Sequence, residues 1–123
     1  MAIINLLPRK EFEITLSDGT VIRGQYGTWA LKRFCDKFGY SLKDAGTHLH
    51  DPSLDEVVQY VLAAVEYPFA KKGDKCPYND VDACDWIDQV GGIQSPEFAK
   101  LFGHSADDSG AEEQKKTEDN PPS

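Results

Sequence analysis

The residues best equipped for chemistry are few, and their spacing argues against a reaction centre. His48 and His50, with Asp51 next in line, form the nearest approach to a metal-binding group. Two histidines separated by one residue do not share a helix face, and Cys35, Cys76 and Cys84 lack the C-x-x-C spacing of zinc sites. Asp80, Asp82, Asp85 and Asp88 supply oxygen ligands, but the D-x-D-x-D-G loop closed by a glutamate is absent. An acidic helix start, favoured by the positive end of the helix dipole, accounts for them better. No nucleophile motif frames Cys35, Cys76 or any serine, and no glycine-rich phosphate loop is present. The expectation is a protein with no catalytic, cofactor-binding or metal-ligating residues. Trp29 and Trp86 are large enough to anchor a protein interface, and their helical spacing suits a core equally well.

The elements that would position any such groups fit one domain of 123 residues. Apolar residues make up 40 %, enough for a core without disulfide or metal staples. Thirteen basic against 21 acidic residues give a net charge of −8, which disfavours nucleic acid or an anionic membrane as partner. No apolar run approaches the roughly 20 residues of a membrane span. The opening MAIINLLPRKEF has its basic residues after the apolar patch, unlike a secretory signal. Cys35 and Cys84 fall within apolar helical patterns and are expected to be buried, reduced thiols. Cys76, in a polar loop, is expected to be the exposed one.

Met1 to Leu7 is apolar without a clear period. Glu11 to Leu16 then alternates polar and apolar as a half-buried strand does, and Ser17-Asp18-Gly19 turns it into a returning strand over Thr20 to Gln25. Thr28 is placed to cap a helix from about Trp29 to Phe38, with Ala30, Leu31, Phe34, Cys35 and Phe38 inward and Gly39 as its left-handed stop. A short helix follows over Ser41 to about Leu49. The segment SLDEVVQYVLAAVEYPF, residues 53–69, is the centre of the fold. Leu54, Val57, Val58, Val61, Leu62, Val65 and Phe69 keep the rhythm of one helix face, Ser53 and Glu56 form a capping box, and Pro68 predicts the end. AKKGDKCPYN is a charged loop. A helix to Val90 follows, with Val81, Cys84, Ile87 and Val90 inward, then Gly91-Gly92 and a last helix started by Ser95-Pro96 and ended by Gly103. Residues 104–123 contain no aromatic or branched aliphatic side chain and read as a disordered acidic tail. The predicted class is α+β, mainly α. A two-stranded N-terminal β-hairpin packs on a small bundle of four to five helices within residues 1–103.

This order of features resembles the tail assembly chaperones of long-tailed bacteriophages. The likeness rests on a hairpin around LSDGT, the segment YGTWALKRFCDKFG, the helix LDEVVQYVLAAVEY, a charged loop and then DVDACDWIDQVGG, covering about Phe12 to Phe102. The resemblance implies a non-catalytic protein of virion morphogenesis, working in the cytoplasm of the infected bacterium and absent from the mature virion. It would bind the tape measure protein and help recruit tail tube subunits. On this reading a groove between the 29–38 and 53–69 helices takes the partner, with Trp29, Tyr60, Tyr67 and Trp86 as contacts. The resemblance also implies a longer form made by frameshifting, and Gln114-Lys115-Lys116 is compatible with a slippery codon run. Two other classes fit the same residues: a small acidic module that blocks a host factor, and a minor structural tail or connector protein.

Overall fold

The computed structural model describes residues 2–106. Three strands come first, β1 (Ile3–Leu6), β2 (Glu11–Thr15) and β3 (Val21–Gln25). Five helices follow: α1 (Thr28–Phe38), α2 (Leu42–His50), α3 (Leu54–Lys71), α4 (Asp80–Gln89) and α5 (Pro96–Gly103). The class is α+β, mainly α.

The expected hairpin is present and gains a strand. β2 pairs antiparallel with β3, Ile14 opposite Ile22, and β1 adds to the other side of β2 with Ile4 opposite Ile14. The sheet is therefore a three-stranded meander rather than a two-stranded hairpin. The lead Met1–Leu7 showed no period because β1 is an edge: Ile3 and Leu6 stay 64 % and 42 % exposed, and only Ile4 reaches the core. Phe12, Ile14 and Ile22 point inward and are buried, while Glu13 and Arg23 pair on the outer face at 3.0 Å. Between β1 and β2, Arg9 and Lys10 both adopt left-handed φ values of 63°. That conformation costs an L-residue about 1–2 kcal/mol. The turn is held from several sides: Tyr26 N–H donates to the Lys10 carbonyl and Gln25 Nε2 to the Arg9 carbonyl. The His104 Nε2 lies 2.9 Å from both the Leu7 and Glu11 carbonyls. Carbonyls only accept, so this nitrogen carries the proton.

α3 is the axis of the domain and packs against α1, β3 and α4. Its capping box forms as expected, with Ser53 Oγ accepting from Glu56 N–H and Glu56 Oε1 accepting from Ser53 N–H at 2.7 Å. Tyr60, Ala63 and Ala64 are buried besides Val57, Val58, Val61, Leu62 and Val65, because neighbours cover the helix on several sides. Leu54, expected in the stripe, stands 64 % exposed in the first turn, ahead of the packed region. The helix also runs through Pro68 to Lys71 rather than stopping at it. A proline inside a helix costs about 3 kcal/mol. The turn beyond it is repaid by Phe69, which packs against the core with its ring edge-on to Tyr78 at 6.0 Å.

In α4 the buried residues are Ala83, Trp86, Ile87 and, at the cap, Val90. The expected stripe of Val81, Cys84, Ile87 and Val90 is rotated: Val81 is 72 % exposed and Cys84 is exposed. Burying the large Trp86 ring outweighs burying Val81 and Cys84 together. The thiol order reverses with it, Cys84 being outermost and Cys76 and Cys35 half-buried. α1, α2 and α5 form close to their expected bounds. Ser41 and Ser95 cap α2 and α5, but Gly27, not Thr28, takes the cap position of α1, and no side chain caps it. Gln89 ties α4 to the sheet, its carbonyl accepting from Ala2 N–H and its side-chain oxygen from Ser17 N–H. The ordered domain extends past residue 103, since His104–Ala106 makes a further helical turn against the β1–β2 connection. The rest of the expected tail, 107–123, lies outside the described residues.

Candidate partner-binding face

α1 and α3 run side by side, and the seam between them is mostly closed by charge. Trp29, Arg33 and Lys37 recur at four-residue spacing on α1, so they share one face. Opposite them on α3, Glu66 Oε1 receives Arg33 Nε and Lys37 Nζ, each at 3.3 Å, and Lys37 also donates to Gln59 at 3.1 Å. Burial lowers the Lys37 ammonium from its ordinary value, and the Glu66 carboxylate pulls the other way. No groove remains along this stretch.

The seam opens at the start of α1. There the Trp29 ring lies 5.9 Å from that of Tyr67, both half-buried. Lys71 Nζ sits 5.9 Å above the Tyr67 ring, one turn further along α3, in cation–π geometry. Three hollows meet at this pair. One of about 510 Å³ runs from Trp29 past Arg33 and Ala70 to Cys76 and Tyr78. A second, about 400 Å³, lies between Trp29, Tyr67, Gln25 and Thr28. The third, about 590 Å³, extends from Tyr67 over Pro68 and Lys71 to Phe12 and Gly24 of the sheet. The result is an aromatic ridge with concave flanks and a cationic edge. Such a surface suits a protein segment that offers apolar side chains; it presents no arrangement of groups for bond-breaking.

Two of the four residues expected to touch a partner are brought together here, Trp29 and Tyr67. The other two belong to the core. Tyr60 is 5 % exposed, wedged between Tyr26 and Phe34 with centroids 5.2 and 5.4 Å away, and burial pushes its hydroxyl up to about 12. Trp86 is 2 % exposed, edge-on to Tyr78 at 5.2 Å. Helical periodicity places all four on helices but cannot tell an inward ring from one at the rim. Lys71 was not foreseen as part of the face, because Pro68 was read as the stop. Its position four residues after Tyr67 was the available signal.

The histidines act structurally. His48 Nδ1 lies 2.7 Å from Glu56 Oε2, and Tyr40 donates its hydroxyl to the same oxygen at 2.6 Å while stacking on the imidazole at 4.2 Å. Hydrogen bonds from Ser53 and then Tyr40, with His48 nearby, hold Glu56 below the ordinary carboxylate value. The Tyr40 hydroxyl is pushed up to about 12, chiefly by the hydrogen bond to Glu56. This cluster pins α2 to the start of α3. His50 is exposed at the end of α2. Among the described residues no three His, Cys, Asp or Glu side chains converge as a metal site, and no helix is long and apolar enough to cross a membrane.

Comparison of the chain with family models, curated proteins and solved structures gave no match.

Proposed function

We propose that this protein is a non-catalytic tail assembly chaperone of a long-tailed bacteriophage, acting in the cytoplasm of the infected host. Its Trp29–Tyr67 face holds apolar helical stretches of the tape measure protein while tail tube subunits are recruited. The observation that carries the reading is the half-buried aromatic pair at the open end of the α1–α3 seam, within the hairpin-then-helices order that resembles that family. Amphipathic helices docked in apolar grooves are a common recognition mode, and two exposed aromatic rings with flanking hollows provide anchor sites for one. The negative net charge of −8 suits a protein that keeps an aggregation-prone partner dispersed.

The test is co-expression with the long helical reading frame adjacent to this gene. Wild-type protein should keep that product soluble and co-purify with it. Trp29→Ala with Tyr67→Ala should weaken the complex by about 1.4–3 kcal/mol, roughly tenfold or more. A folded double variant that binds as tightly as wild type would refute the face. A tape measure product equally insoluble with and without the protein would refute the function.

A further inference from the structure

The cations of this face fall into two groups. Lys32, Arg33 and Lys37 on α1 are each within ion-pair distance of a carboxylate, Asp36 or Glu66. Lys71, Lys72 and Lys75, at the end of α3 and just beyond it, pair with no carboxylate among the described residues. They line the hollows on either side of the Tyr67 ring: Lys71 and Lys72 one, Lys75 the other. A positive edge on a chain of net charge −8 calls for an acidic occupant. The chain carries such a segment. Residues 107–123 hold Asp107, Asp108, Glu112, Glu113, Glu118 and Asp119 against two lysines.

The point of departure favours the encounter. Ala106, the last described residue, lines a hollow of about 610 Å³ together with Gly27 and Thr28. Those same two residues line the hollow that contains Trp29 and Tyr67. A flexible chain of this length spans about 20–25 Å on average, whereas a domain of this size has a radius of gyration near 13 Å. Tethering at that range gives an effective concentration of the order of millimolar, enough for a weak contact to be populated.

We infer that the acidic segment 107–123 lies across the Lys71–Lys72–Lys75 edge and the Trp29–Tyr67 ridge, as a built-in competitor that an incoming partner must displace. The inference rests on this face being a contact surface, but not on the identity of the partner. A helical partner gains access by outcompeting the segment, so apolar ligands without anchors of sufficient size are turned away.

The full chain contains its own reporter, because Trp86 is buried and Trp29 is the accessible indole. Quenching of tryptophan fluorescence by acrylamide, which is uncharged, should be about half as efficient in wild type as in a full-length variant with the six tail acids changed to Asn or Gln. Raising sodium chloride from about 20 mM to about 500 mM should abolish the difference by screening. Lys71→Glu with Lys72→Glu should raise quenching to the level of the neutral-tail chain. Changing the six tail acids to lysine in that background should restore protection. A Trp29→Phe control should show none of these responses. Equal quenching in wild type and the neutral-tail chain would overturn the inference, as would protection indifferent to salt and to the Lys71 and Lys72 substitutions. No partner enters the measurement, so a negative result here leaves the chaperone reading standing.

Discussion

Gly24→Ala should be destabilising for a reason that can be isolated. Gly24 lies directly across the β2–β3 ladder from Phe12, and the Phe12 ring covers it. A Cβ built on Gly24 would come within 2.4 Å of Phe12 Cζ and 2.9 Å of both Cε atoms, far inside contact distance. Left to itself, Gly to Ala in a strand gains about 0.5–1 kcal/mol through reduced chain entropy. Forcing a methyl into a packed site costs about 1–3 kcal/mol, and the stiff, fully buried ring puts this case in the upper part of that range. The net expectation is a loss of about 1–2 kcal/mol, or about 5–15 °C in Tm for a domain of this size. The decisive assay is a double-mutant cycle by urea or thermal unfolding. Leucine at position 12 lacks all three clashing atoms, so Gly24→Ala in a Phe12→Leu background should turn neutral or stabilising. The coupling should then be about 2 kcal/mol. A rise in Tm on Gly24→Ala in wild type, or a coupling under about 0.5 kcal/mol, would refute the proposed ring-over-glycine packing.

The hydroxyl of Tyr26 is fully buried and has no hydrogen-bond partner among the described residues. Tyr26→Phe should therefore leave stability unchanged or raise it by about 1 kcal/mol, and a loss of more than that in urea unfolding would reveal a partner. Glu56 has its folded-state pKa depressed below 4.5. Its contribution is complete above about pH 4.5 and is lost as pH falls through the lower folded value. Glu56→Gln should cost about 1–2 kcal/mol at pH 7 and converge with wild type in acid, which a pH series of melting curves would check. Lys10→Gly should stabilise by about 1 kcal/mol by relieving a left-handed φ of 63°, and a lower Tm would show that the Lys10 side chain contributes more than its backbone costs.

Local signals decided much of this protein. The capping serines at 41, 53 and 95, the capping box of Ser53 with Glu56, and the left-handed stop at Gly39 involve groups within a few residues of one another. The alternation of Glu11 to Leu16 likewise fixed which face of β2 is buried. Three features needed the assembled fold, because each depends on what lies across space. Val81 and Cys84 keep a helical rhythm with Ile87, yet the bulk of Trp86 rotates α4 so that Ala83 and Trp86 face inward instead. Pro68 ends a helix by local rules, but packing of Phe69 against Tyr78 carries α3 onward and thereby places Lys71 over Tyr67. The candidate face follows the same division. Sequence determined that Trp29, Tyr60, Tyr67 and Trp86 are helical aromatic residues in apolar patterns. Only the packing of α3 against the sheet, α1 and α4 decided that Tyr60 and Trp86 are enclosed while Trp29 and Tyr67 meet at the rim. Whether a large ring is core or surface depends on how many neighbours converge on it, and a chain's local pattern does not contain that number.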